Sequence, residues 1–261
     1  METNNSKPSL EEENFSIYYE PRFYEFHSLM KHRIDNVLIV SNLYERFLLE
    51  EDGRLGDQIL DEYLNLHLSN PPRLFGTENP NQAMSLLKEK EIDLIITMKR
   101  IGDLDPYSFA RQVKESFPEI PIVLLLTHST DLKHISSESK ASFDRIFLWT
   151  GDSKIFLAIV KLFEDKLNCK EDISTGKVQA ILLIENSIQY YSVFLPMLYS
   201  EIMRQTHKLI SEETVNEFHR LLRMRTRPKI FFAESFEEAE VYFDLYRDNL
   251  LGVLSDVAFP T

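Results

Sequence analysis

Short apolar runs recur along this chain, and between them lie longer stretches in which apolar positions return every three or four residues. The runs at residues 36–40 (NVLIV), 93–98 (DLIITM), 121–126 (PIVLLL) and 145–149 (RIFLW) lack strict apolar–polar alternation. They predict strands buried on both faces. A weaker strand is expected at 73–76, after Pro71-Pro72. A long helix is expected over 43–68, with Phe47, Leu48, Leu55, Ile59, Tyr63 and Leu66 at mostly helical spacing. Gly53 and Gly56 predict a kink or break in it. Asn79-Pro80 opens a second helix running to residue 90, since proline suits a first helical turn. Further helices are expected at 106–117, 131–141 and 153–167. Strands alternating with helices specify a parallel sheet with right-handed crossovers and helices on both faces.

The polar stretch 168–177 (NCKEDISTGK) reads as a linker, after which the pattern restarts. Strands are expected at 178–184 (VQAILLI), 229–233 (KIFFA) and 250–255 (LLGVLS), with a long helical region from Ser187 and a helix at 236–247. NVLIVSN aligns with AILLIEN, and IDLIITM with LLGVLSD, as an imperfect internal duplication whose second copy stops after its third strand. The division expected is a tail and aromatic arm at 1–32, a complete unit at 33–168, a linker at 169–177 and a partial unit at 178–261. The last strand would be an edge carrying apolar Leu250, Leu251, Val253 and Leu254, and such an edge invites pairing. Three outcomes follow for it: association between chains, packing against the first unit, or completion by a longer chain. Met197, Leu198, Ile202, Leu209 and Ile210 also fit an apolar seam for dimerisation or for packing between the two copies, or simple core burial.

Composition narrows the classes. In 261 residues, 42 acidic against 29 basic side chains give a net charge of −13, which disfavours a general nucleic-acid binder. Hydrophobic residues make up 43%, enough for a real core. The single cysteine, Cys169, cannot form an intrachain disulfide, which points to a reducing compartment. No apolar run approaches the ~18–20 residues of a membrane span. The start, METNNSKPSLEEEN, has no basic region followed by an apolar stretch, so no signal peptide is read. A soluble cytoplasmic protein is expected.

A βα repeat with acidic chemistry after its first and third strands resembles the receiver domain of bacterial two-component response regulators. The resemblance implies a three-layer, doubly wound αβα fold with a five-stranded parallel sheet in order 2-1-3-4-5, followed here by a partial copy in order 2-1-3. It implies an acidic pair after the first strand that holds Mg²⁺ and a phosphoaccepting aspartate after the third. It also implies a Thr or Ser after the fourth strand and a Lys after the fifth. In the second copy, LSDVAFP places Asp256 at the phosphoacceptor position, and Glu185-Asn186 fall where the acidic pair belongs. Such chemistry needs a hard cation, because an attacking carboxylate and a phosphoryl group otherwise repel each other. Asn186 departs from the pattern, supplying a neutral oxygen where the family has a carboxylate. In the first copy Ser41 and Asn42 occupy the acidic-pair positions, Met98 the phosphoacceptor and Trp149 the lysine. Only Thr127 matches, so this copy reads as a pseudo-receiver. Asp105 matches a loop acid that starts the following helix.

A second resemblance, carried by EEDGRLGDQI, YSEIMRQTHKLI and LLRMRTRPKI, is to the amino-terminal region of long bacterial proteins related to phosphoenolpyruvate synthase and pyruvate phosphate dikinase. Three functions stay open: a non-catalytic receiver module working through protein contacts, the regulatory front end of such a phosphotransferase, or a purely structural assembly module. The partners implied are a histidine kinase or phosphotransferase module, a longer form of this chain, or a second copy. Other chemistry finds little footing. The seven histidines show no HxxxH or HExxH spacing, and neither GxGxxG nor GxxxxGK[ST] occurs. Arg220, Arg223, Arg225, Arg227 and Lys229 form one basic cluster, read as a solvated helix end or protein contact ahead of a nucleic-acid grip.

Overall fold

Apolar strands need partners on two edges and two faces, and the computed structural model shows where they come from; it describes residues 29–49, 55–102, 104–211 and 224–256. β1 (Asn36–Val40), β2 (Arg73–Thr77), β3 (Leu94–Met98), β4 (Ile122–Leu126) and β5 (Arg145–Leu148) form a parallel sheet in order β2-β1-β3-β4-β5. β6 (Ala180–Ile184), β7 (Lys229–Ala233) and β8 (Leu250–Ser255) form a second parallel sheet in order β7-β6-β8. Helices flank both sheets, so the fold is the expected doubly wound α/β architecture. β3 and β4 are buried along their whole length.

Local signals account for most helix starts. α1 (Leu43–Leu49) and α2 (Leu55–Asn65) fall within the long helix expected; residues 50–54, with the break expected at Gly53, lie outside the described residues. α3 (Pro80–Glu89) begins at Asn79, whose side chain accepts from the Asn81 N–H. α4 (Pro106–Ser116) begins at Asp105, whose carboxylate accepts from the Tyr107 and Ser108 N–H groups. The Ser108 side chain, together with those backbone hydrogen bonds, holds the Asp105 carboxyl below its usual range, so the residue is the helix-start acid the sequence suggests. The helix expected at 131–141 is absent. Its place is taken by a 3₁₀ segment, Ser129–His134, and one helical turn, α5 (Ser137–Lys140). Ser136 Oγ accepts the Ser139 N–H at 3.1 Å and so caps α5, which sets the helical start at Ser137.

The polar stretch expected to be a linker is helical as far as Gly176. α6 (Lys154–Gly176) runs 23 residues; Lys161, Glu164, Asp165, Asn168 and Asp172 are buried, while Lys166, Lys170, Glu171 and Ser174 stay exposed. Glu164, Asn168 and Asp172, one helical turn apart, accept the N–H groups of Ile34, His32 and Met30, two residues apart. A helix with a four-residue spacing thereby holds an extended segment with a two-residue spacing, since both correspond to similar rises. Asp165, wholly buried, takes Arg227 in a bidentate pair at 2.7 and 3.0 Å, the Ile230 N–H at 3.0 Å and the Tyr199 hydroxyl at 3.1 Å. Lys229 pairs with Asp172 at 2.7 Å. The basic cluster is therefore no solvated helix end where it is described: Arg227 and Lys229 are 3% and 0% exposed. Charges at such depth persist only when paired and hydrogen-bonded. Arg220 and Arg223, and the arm up to residue 28, lie outside the described residues.

α6 also joins the two sheets. α7 (Ile188–Ser211) packs on α6 and on β5. Tyr191, Leu195, Tyr199 and Met203 of α7 share one apolar core with β1, β3, β4 and β5. A smaller core, with Cys169, Ile173, Leu182 and Phe231, lies under α8 (Phe236–Tyr246). Its Phe231 ring stacks on Tyr242 at 5.0 Å.

Candidate functional site

Ladder register places the two carboxyl-terminal strand ends on a common frame. In the first sheet Leu38 pairs with Ile95 and Val40 with Thr97; in the second Leu182 pairs with Val253 and Ile184 with Ser255. One residue beyond, Met98 and Asp256 occupy the same place. The following residues correspond as well: Ser41 N–H donates to the Thr77 carbonyl at 3.1 Å, and Glu185 N–H to the Ala233 carbonyl at 3.1 Å. Ser41 thus answers to Glu185, and Asn42 to Asn186.

The first of these strand ends is closed by the chain itself. Met98 is fully buried. Asn42 caps α1, its side-chain oxygen accepting the Glu45 N–H at 2.7 Å, and its own N–H donates to the Arg100 carbonyl at 2.9 Å. Glu45 is buried and accepts the Arg100 N–H at 3.1 Å. Burial raises its carboxyl above the ordinary glutamate range, against the lowering effect of the Arg100 hydrogen bond and charge. Lys99, just after β3, pairs with Asp131 at 2.6 Å. Thr127 is half-buried beyond β4, and Trp149 packs against Phe156 with ring centroids 5.5 Å apart. Glu45, Lys99 and Asp131 escaped the sequence reading, because they lie outside the positions that the family pattern marks. An acid in the first turn after β1 was the available signal for Glu45.

At the second strand end a cavity of about 460 Å³ opens beside β8. Leu183, Tyr190, Phe194, Met197 and Leu254 give it an apolar wall, and Glu185 and Asp256 contribute carboxylates. Asp256 is exposed, its N–H donating to the Ile184 carbonyl at 3.2 Å. Glu185 is buried, with Oε1 accepting the Ser187 N–H at 2.9 Å ahead of α7. Two carboxylates on one cavity, one with an oxygen already engaged, are the kind of donor set an octahedral Mg²⁺ takes when water fills its remaining positions. No cluster of three or more His, Cys, Asp or Glu side chains suited to a metal occurs among the described residues. No described helix is long and apolar enough to cross a membrane.

No protein-family model matches the chain, and no curated protein matches it. Solved structures do. The signal receiver domain of an HD domain-containing protein from Pseudomonas fluorescens Pf-5 is 20% identical, over 54% of this chain and 93% of that one, with a TM-score of 0.37. The receiver domain of a signal transduction histidine kinase from Syntrophus aciditrophicus is 18% identical, over 51% and 92%, with a TM-score of 0.37. The chemotaxis response regulator CheY4 of Vibrio cholerae is 15% identical, over 48% and 95%, with a TM-score of 0.36.

Proposed function

We propose that this chain is a cytoplasmic signal-transduction module: a degenerate receiver unit followed by a second, partial one, acting through protein contacts and not as an enzyme. The observation that carries the reading is the shared register, in which the buried Met98 of one sheet stands where the other presents the exposed Asp256. Methionine has no oxygen to accept a phosphoryl group, whereas an exposed carboxylate does. On this reading Asp256 is the phosphoacceptor, and Glu185, Asn186 and Asp256 hold Mg²⁺. A phosphoryl group would add about −1.5 to −2 charges at the rim of an apolar cavity, enough to bias a docking surface. The partner is a histidine kinase or a phosphotransferase module, supplied by another protein or by a longer form of this chain. The regulatory front end of a phosphoenolpyruvate- or pyruvate-utilising enzyme is a special case of the same module.

The test is incubation of the full chain with acetyl phosphate and Mg²⁺, followed by intact-mass measurement. One added phosphoryl group is expected, and none in Asp256→Asn. A wild-type chain that gains no mass discards the phosphorylation step. The reading left standing is then an assembly module, favoured by the apolar, half-exposed Leu251, Val253 and Leu254 of β8. Light scattering would follow its self-association.

A further inference from the structure

The opposite end of the sheets holds a second concave feature that neither the register nor the receiver pattern uses. A cavity of about 270 Å³ lies where the two sheet systems meet. Arg33 enters it from the extended segment before β1, His67 from the turn after α2, Lys161 from α6, His207 from α7, and Arg225 and Arg227 from the approach to β7. Glu164 is the carboxylate among the described lining residues, and both its oxygens are engaged, by the Ile34 N–H and by Lys161 at 2.7 Å. Behind the wall, Asp165 and Asp172 are taken up by Arg227 and Lys229. Lys161, Arg227 and Lys229 are thereby matched by Glu164, Asp165 and Asp172, and Arg33 adds a further positive charge among the described residues. The Arg33 guanidinium makes no hydrogen bond or ion pair among them.

Two further features concern the same cavity. Burial, then the charge of Arg33, lowers the Arg225 guanidinium against the raising effect of Asp172, so the two cations of the lining repel each other. The His67 and His207 rings stack with centroids 3.9 Å apart and planes 12° apart, one from each sheet system. His67 holds a left-handed backbone, φ 52°, which is uncommon outside glycine and persists only where surroundings over-determine it. Concentrated positive charge in a concave, partly desolvated space attracts a compact polyanion, and guanidinium forks match phosphoryl oxygens in geometry as well as charge.

We infer that this cavity is a binding site for a small phosphoryl-bearing anion, with Arg33 as its primary contact. Because the walls come from both sheet systems, the ligand stabilises their junction and raises the melting temperature in step with its occupancy. The site is independent of Asp256, so Asp256→Asn leaves its affinity unchanged.

Titration calorimetry of the full chain tests this with pyrophosphate, inorganic phosphate and citrate as probes. Pyrophosphate is expected to bind most tightly, and Arg33→Ala to weaken it about tenfold or more, the worth of one charge-assisted hydrogen bond. Arg111→Ala, on α4 and not among the residues lining the cavity, is the control and should bind as the wild type does. Circular dichroism of ligand-free Arg33→Ala establishes that it is folded; Arg33→Gln serves if it is not. Absence of pyrophosphate binding at millimolar concentration, or equal affinity in wild type and the Arg33 variant, overturns the site. Citrate binding as tightly as pyrophosphate with the same Arg33 dependence overturns its phosphoryl selectivity.

Discussion

β3 and β8 hold the same place in their sheets and have similar apolar sequences, yet their surroundings differ. β3 lies between β1 and β4, and every residue of it is buried. Among the described residues β8 pairs with β6 alone, and from Leu251 onward every residue of the strand is exposed. The outer strand of the first sheet gives the other half of the contrast. β5 is also terminal in its sheet, but α7 seals it: the Leu148 N–H donates to Ser192 Oγ at 2.9 Å, and the Tyr191 hydroxyl donates to the Ile146 carbonyl. Arg145, opening β5, pairs with Glu234 at 3.4 Å and with Glu238. One sheet edge is thus covered by the other half of the chain, while the other edge has no such cover among the described residues. An apolar strand sequence encodes a demand for burial, and what meets that demand is a matter of tertiary neighbours.

Matched substitutions break this comparison most sharply. Ile95 and Val253 pair with corresponding residues of β1 and β6. Ile95→Lys buries an unpaired ammonium where exposure is 0%, and a loss above about 4 kcal/mol is expected, read as unfolding of the first sheet at low urea. Val253→Lys puts the same group at a site 44% exposed, and a loss of about 1 kcal/mol or less is expected. Similar large losses in both variants would mean that β8 is covered in solution, and would end the contrast.

The sealed edge has its own test, with a smaller effect. Ser192→Ala removes the acceptor of the buried Leu148 N–H while leaving α7 in place. An unsatisfied buried donor costs about 1–3 kcal/mol, so urea denaturation should show a loss in that range. A loss near zero would mean that water reaches β5 and that α7 covers it only loosely.

Much of this architecture is legible in the sequence because β-strands buried on both faces leave continuous apolar runs, and because Asn79-Pro80 and Asp105-Pro106 mark helix starts by side-chain chemistry. The strand-end positions are legible too, since alignment of IDLIITM with LLGVLSD carries Met98 and Asp256 into register, as NVLIVSN with AILLIEN does Ser41 and Glu185. What escapes is tertiary. Asn168 and Asp172 look like linker residues because polar side chains are ordinarily solvated, yet they are buried acceptors for a segment more than a hundred residues earlier. Arg227 and Lys229 read as surface charge for the same reason, and no local pattern announces that Asp165 and Asp172 wait for them. The second cavity is built from side chains of five separate segments, so no spacing rule could assemble it.

The smallest expected effect concerns the two strand ends themselves. The first holds a buried Glu45 that nothing exposed replaces, whereas the second presents Asp256 to solvent. Burial raises the Glu45 carboxyl, with Asp131 adding to the rise and Arg100 and His128 opposing it, and Lys99 pairs with that same Asp131. A carboxyl raised on folding favours the protonated form in the native state. Its contribution to stability is then fully present below the unfolded value, about 4.3, and is lost as pH rises through the folded one. Glu45→Gln keeps an oxygen for the Arg100 N–H and removes the titration. The variant should therefore be more stable than wild type at pH 7, by less than the Ser192→Ala loss, and the gap should close as pH falls below the unfolded value. Urea denaturation across that range measures it. A variant less stable at pH 7, or a gap that ignores pH, would mean that the Glu45 charge is welcome where it sits, and the first strand end would then be an acidic site held in reserve rather than a closed one.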